Sequence, residues 1–273
     1  MDPAIEVSDY GELLITFTIL AIVAAMLLEA IIPRRTIQQS VGYRWINNLS
    51  LAAVTYYIST IAKNGLLLGV VWYADLREFG LLQRFDIGIV GSFIVLLLAA
   101  QGLGYVIHRL MHAVPWLWRL HAIHHNDTEV DVSTAYRHNP IETIITLPIV
   151  IPALILLGAP VEAAVIYQLF FIGTTVFGHS NIYLPPRLER LLGYLIVTPD
   201  FHRNHHCSDR RFTDSNYSSI VPWFDYLFGT ATRKPFEEHA TMELGLDYLR
   251  DPRDSRLDQM LILPFKNWKR IKE

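Results

Sequence analysis

The chain has 273 residues, 52% of them hydrophobic and 18% charged, with a formal net charge of −3 at pH 7. That balance, with no long basic tract, argues against a nucleic-acid partner, and the single cysteine, Cys207, excludes an internal disulfide and any thiolate-rich metal site. A soluble domain carries roughly 25% charged residues, whereas here the apolar residues are clumped into long runs, so an all-α integral membrane helical bundle of about four or five spanning or re-entrant helices is expected.

The opening "MDPAIEVSDYGE" is acidic and lacks the basic start of a cleaved leader, so the first apolar run, about 11–32, is expected to remain as a span. Further runs cover about 47–74, 87–112, 141–158 and 161–180, and a span needs ~20 apolar residues. Lys63 and Asn64 predict a break or a water-facing stripe in the second run. "LGAPVE" joins the last two as a tight helical hairpin, which either spans or re-enters. Arg34, Arg35 and Arg44 follow the first run and place that connection in the cytosol, with the N-terminus outside. In the 75–86 connection, Arg77 and Arg84 are diluted by Asp75, Glu78 and Asp86.

A helix rising ~1.5 Å per residue crosses a ~30 Å core in about twenty residues. Starting near Asp86, the third run therefore emerges on the cytosolic side close to His108, and by the same counting His179 ends the fifth run there. Residues 181–273, with turn signals "YLPPRLER", "TPDF" and "DPRDS" and the basic end "KNWKRIKE", read as a cytosolic, histidine-rich helical cap. No internal repeat is visible. A single membrane-embedded domain over 1–273 is expected, with a histidine core at about 95–230 and a cytosolic tail at 231–273.

The histidines are the informative feature. His108 and His112 stand at i, i+4, one helical turn apart; His121, His124 and His125 form HxxHH, and His202, His205 and His206 repeat it. On a helix, positions i, i+3 and i+4 fall within a sector of ~100°, so each HxxHH is expected to aim three imidazoles at one point. Pro115 suits the first turn of a helix carrying the first triplet, and Thr198 followed by Pro199 reads as N-cap and N1 of a helix carrying the second. A lone histidine at a membrane edge is ordinarily an interfacial polar residue, but two HxxHH copies plus a pair have little structural reason to gather beside lipid.

Imidazole suits iron, zinc, copper and nickel, and eight nitrogens are too many for one four-coordinate zinc, so two transition-metal ions are the economical reading. His179 in "FGHSNI" is placed where it joins the centre. Asp127, Asp131, His138, Asn139, Asp200, Asp209, Asp214 and Asn216 are candidates to support the ligands, and His239 reads as ordinary surface.

The order HRxxH, HxxHH, "RHNPIE", "GHSN", "TPDFHRNHH" and "TDSNY…FDYLFGT" resembles the fatty acid hydroxylase/sterol desaturase superfamily over about residues 95–230. The resemblance implies a membrane histidine-box di-iron oxygenase acting on a lipid C–H bond with O2 and external electrons. It carries the metal-ligand role onto His108, His112, His121, His124, His125, His202, His205 and His206, and that of a further histidine onto His179. The sequence departs from the pattern in three places: Gln101 stands where an aspartate is common, Asn139 precedes the proline in place of histidine, and Phe224 separates Trp223 from Asp225.

The substrate expected is a sterol, fatty acyl chain or related lipid entering from the bilayer, with Tyr105, Trp116 and Trp118 as candidate lining residues. No Rossmann fingerprint or haem-attachment motif is visible, so a separate cytochrome b5-like or ferredoxin-like electron donor is expected, in a bacterial inner membrane or the endoplasmic reticulum. The rival readings are a membrane metal-binding protein or transporter, and a zinc-dependent membrane hydrolase using an acid such as Glu142.

Overall fold

A computed structural model describes residues 3–75, 80–85 and 87–266, without the side chains of 3–9, 60–75, 83 and 161. α2 runs through Lys63 and Asn64 without the expected break; a water-facing stripe there, the reading of Asp75, and those of Arg77, Glu78, Asp86 and the basic end beyond Lys266 lie outside the described residues and side chains. Among the described residues there is no strand; Pro33–Ile182 and Cys207–Leu244 are isolated bridges.

The long apolar runs form helices α1 (Pro3–Ile31), α2 (Val41–Asp75), α3 (Gly88–Ala113), α5 (Pro140–Leu157) and α6 (Val161–His179), and α4 (Pro115–His125) is a shorter helix following α3. Tyr10–Ile31, Gly88–Ala113 and Pro140–Leu157 are each long and apolar enough to cross a membrane. On α1, Ile15, Ile19, Leu20 and Leu27 are all more than half exposed. A helix that leaves so much apolar surface outward is stable against lipid, not water. The chain is an integral membrane helical bundle.

α2 begins six residues before the expected 47. Its first turns are polar because they face protein: Arg44, Asn47 and Asn48 bond to Asp127, to the Leu257 amide and to Ser133.

α1 packs on α6, α2 on α5, and α3 on both α5 and α6. The C-terminal ends of α1, α3 and α6 and the N-terminal ends of α2 and α5 meet at one end of the bundle. Arg34–Asp200, Arg44–Asp127, His108–His205 and His179–His202 contacts all lie there. At the far end the α5–α6 connection is tight. Gly158 caps α5 at φ 60°, and a Cβ on it would collide with the Gly80 Cα, so this position needs glycine on both counts.

Short helices α7 (Pro186–Leu192), α8 (Pro199–His205), α9 (Arg210–Thr213), α10 (Trp223–Phe228) and α11 (Leu257–Ile262) cover the histidine end. The tail packs back on it: Met260 and Leu263 join Leu51 of α2 and Ile123 of α4 in one buried cluster. His239 is not surface. It is buried 3.7 Å from Asp200, and its carbonyl accepts from Arg35.

Candidate metal centre

Pro115 opens α4, and Thr198 and Pro199 open α8, so both HxxHH stretches are helical. The Thr198 hydroxyl does not cap its helix; it donates to Glu189 instead.

The two boxes are divided, not each gathered on one point. His108, His112, His121, His125 and His205 form one group, and His124, His179, His202 and His206 another, with a ligand atom of each residue within 4.8 Å of the others in its group. The reason is helical geometry. Positions i and i+4 lie about 40° apart, while i+3 lies about 60° to the other side of i. α4 therefore sends His121 and His125 to the first group and His124 to the second, and α8 sends His202 and His206 to the second and His205 to the first. The pair His108/His112 completes one group, and His179 completes the other.

The hydrogen bonding turns Nε2 inward. The Nδ1 of His108 lies 2.7 Å from the Tyr217 carbonyl, that of His205 2.6 Å from the Ser215 carbonyl, and that of His179 2.8 Å from the Thr175 carbonyl. A carbonyl accepts only, so each Nδ1 donates and leaves a bare lone pair on Nε2. His112 and His121 make the same contact through Asp214 and Glu142, both at 3.2 Å.

Those inward nitrogens crowd one another. His108 Nε2 stands 3.0 Å from His121 Nε2 and 3.1 Å from His205 Nε2; His179 Nε2 stands 2.8 Å from His202 Nε2 and 3.2 Å from His124 Nε2. Two lone pairs at that separation repel, whereas ligands at right angles about 2.1 Å from a shared ion are roughly 3 Å apart. Protonation is not the remedy, because burial first, and the neighbouring imidazoles next, push His124, His125, His202, His205 and His206 well below the usual histidine value. Among the described residues both ring nitrogens of His125 are buried without a hydrogen-bond partner, as are the Nδ1 atoms of His124, His202 and His206. Unsatisfied groups at this density are unusual in a folded protein. The donor set fits a transition-metal ion in each group.

Of the eight expected supporting residues, Asp214 and His138 touch the clustered histidines. Glu142, read only as a hydrolase acid, accepts from both His121 and His138 through Oε1 and is the carboxylate at the site's edge. Asp214 bridges His112 and Arg210, and His138 stacks on His124 at 4.6 Å. Asp127, Asp131, Asn139, Asp200, Asp209 and Asn216 instead hold arginines or backbone. Asp127 and Asp131 clasp Arg44; burial opposes the Asp127 charge, but the Arg44 and Arg137 guanidiniums outweigh it and hold its carboxyl well below the usual range. Asp200 joins Arg34 and Arg203, Asp209 pairs with Arg211, and Asn139 caps α5.

Asn216 acts through the chain. Its φ of 53° is a conformation asparagine tolerates, and it lies between the two residues whose carbonyls accept from His205 and His108. The substituted positions are also engaged: Gln101 accepts from the Ile220 amide, and Asp225 accepts from the Tyr217 and Ser218 amides. No sequence pattern marks a backbone carbonyl as a partner, which is why Ser215 and Tyr217 were not foreseen.

A cavity of about 520 Å³ opens beneath the histidines, between α2, α3, α5 and α6. His108 and His121 of one group and His124, His179 and His202 of the other reach it. Tyr105, Trp116 and Trp118 do not line it. Tyr105 stacks on Phe228 at 5.3 Å, Trp118 is buried with its indole N–H donating to Tyr248, and Trp116 is exposed.

The family model for fatty acid hydroxylase matches residues 93–230, half of the chain. Among curated proteins, an alkylglycerol monooxygenase of Homo sapiens is 31% identical over 131 residues, which are 46% of this chain and 27% of that protein. An ornithine lipid hydroxylase of Rhizobium tropici is 31% identical over 142 residues, 51% of this chain and 41% of that one. A very-long-chain aldehyde decarbonylase of Oryza sativa subsp. japonica is 29% identical over 188 residues, 65% of this chain and 29% of its own length. The matched region thus spans well under half of each relative. No solved structure matches.

Proposed function

The chain belongs to the fatty acid hydroxylase family, and from that premise we propose that it is an O2-dependent membrane oxygenase holding two iron ions and oxidising a C–H bond of a lipid. The observation that carries this reading is the division of nine histidines into a group of five and a group of four, side by side above one cavity. His108, His112, His121, His125 and His205 would hold one ion, and His124, His179, His202 and His206 the other. When bound, the pair of irons supplies O2 activation and a strong oxidant, chemistry that no side chain here performs.

The chain's own work is placement. Nδ1 donation to the Tyr217, Ser215 and Thr175 carbonyls and to Glu142 and Asp214 keeps Nε2 of five histidines unprotonated and aimed inward. The cavity brings an alkyl carbon beside His108, His121, His124, His179 and His202, and its wall of Ala52, Ile107, Met111 and Phe171 keeps water from the reacting group. Relatives named for alkylglycerol, ornithine lipid and aldehyde substrates support a lipid substrate. Electrons come from a separate cytochrome b5-like or ferredoxin-like protein, and the histidine end faces the cytosol, the side assigned by Arg34, Arg35 and Arg44.

The test is iron analysis with O2 uptake on purified protein supplied with a reducing system and membrane lipid. Two irons and reductant-dependent oxygen incorporation into lipid are expected. A zinc-loaded preparation, fully active without oxygen, overturns the oxygenase in favour of a hydrolase, and metal flux across vesicles without lipid chemistry overturns it in favour of a transporter.

Glu142 gives a second check. Glu142→Gln is expected to retain the fold and weaken metal retention about 10–100-fold, read by chelator competition, because the amide is a poorer acceptor for His121 and His138. Unchanged retention removes Glu142 from the centre.

A further inference from the structure

The geometry points to α7 and α10 as a shelf that lies in the headgroup region of the bilayer, covered by lipid of the leaflet at the histidine end. Both helices turn apolar side chains outward. Leu188, Leu191 and Leu195 are exposed along α7 and the turn after it, and Trp223, Leu227 and Phe228 are exposed on α10, Leu191 at 64% and Leu227 at 71%. On α7, Leu188 and Leu191 share one face and the exposed Arg187 and Arg190 the adjoining one, while Glu189, on the remaining side, accepts from the Thr198 hydroxyl. Leucines beside arginines on a short exposed helix suit the plane of a membrane interface, with the arginines reaching headgroup phosphates.

The two helices are joined into one surface. Tyr194 stacks on Tyr226 at 5.6 Å, the Trp223 indole N–H donates to the Tyr194 carbonyl, and the Tyr226 hydroxyl donates to the Gly193 carbonyl. Backbone carbonyls thus satisfy the polar atoms of Trp223 and Tyr226 while both rings stay partly exposed, as aromatic side chains at a lipid boundary require.

The level of the shelf is set by what it packs on. Val90, Ile94, Leu98, Val106 and Leu110 form an exposed ridge of the membrane-crossing helix α3, four residues apart with one gap, at Gly102. Phe224 fills that gap: its ring stands 3.2 Å from where a Gly102 Cβ would lie, and Tyr105 stacks on both Phe224 and Phe228. Gly102 is six residues before His108, about 9 Å along the helix. α10 therefore continues the lipid-facing ridge of α3 at a depth below the histidines. The other end of the shelf joins α1. The Tyr183 amide, three residues before α7, donates to the Ile32 carbonyl, and the neighbouring Ile31 is 73% exposed. An apolar surface continuous at both ends with lipid-facing helix is covered by the same lipid; facing water, it would be a patch of the kind that soluble surfaces avoid.

The test is nitroxide labelling of the full chain carrying Cys207→Ala, in vesicles of phosphatidylcholine and phosphatidylglycerol. Labels on Leu191→Cys and Leu227→Cys are expected to collide with dissolved oxygen more often than with a water-soluble nickel chelate, as a label on Leu98→Cys of the α3 ridge does. A label on Asp247→Cys, exposed on the cap, is expected to show the reverse order. Nickel outpacing oxygen at either shelf position overturns the proposal and leaves the face open to a soluble partner. Exclusion of both reagents overturns it in favour of a protein cover, a second copy of this chain where spin–spin broadening accompanies it. Neither metal nor turnover enters the readout, so it stands or falls apart from the oxygenase reading.

Discussion

Replacing His205 with alanine is expected to remove one iron and leave the other, with iron content falling from two per chain toward one. Lipid oxidation falls by about 10³-fold or more, since metal-borne stabilisation of developing charge is worth several kcal/mol. His206→Ala is expected to remove the other iron. Neighbours in the chain, these two histidines serve different groups, His205 beside His108 at 3.1 Å and His206 beside His202 at 3.2 Å. Iron content and Mössbauer spectra of the two variants check this. The division requires two different one-iron spectra, and it fails if both variants give the same one.

The second large effect is on the scaffold. Arg44 is fully buried, with 2.8 Å and 2.6 Å ion pairs to Asp127 and Asp131 and a further donation to the Glu129 carbonyl. These bonds fix the chain just after His124 and His125 to the first turns of α2. Arg44→Met leaves two carboxylates buried without their cation, at a cost of about 3–5 kcal/mol. For a chain of this size that lowers the unfolding midpoint by about 10 °C, measured in detergent by thermal unfolding. Adding Asp131→Asn to Arg44→Met is expected to recover part of the loss, because one carboxylate, Asp127, then remains opposite the buried Arg137 guanidinium. If the single variant unfolds with the parent, the clasp is not what holds this segment.

Much of the fold was legible because lipid leaves a coarse signature. The five apolar runs correspond to α1, α2, α3, α5 and α6, and "LGAPVE" is the tight connection that Gly158 makes possible. The start of α2 was misjudged for a physical reason: its polar first turns face the cap, and composition cannot tell a protein-facing polar residue from a loop. Within the site, spacing brought together the right residue types, but a 100° sector is wide enough to serve two points, so HxxHH alone does not say how its members are shared. Of the acids near the boxes, Asp214 alone meets a clustered histidine, His112. Asp127 and Asp200 answer arginines distant in sequence, at positions 44 and 34, while Glu142 reaches His121 from the first turn of α5. The aromatic candidates failed to line the cavity for a similar reason. Tyr105 and Trp118 turn toward the cap, and only the helices' mutual packing decides which faces enclose space.

The division of the histidines can be seen directly by anomalous scattering at the iron absorption edge from crystals of the purified protein. Two peaks are predicted, one enclosed by His108, His112, His121, His125 and His205 and the other by His124, His179, His202 and His206. A single peak shared by both groups, or density for neither, would contradict the account.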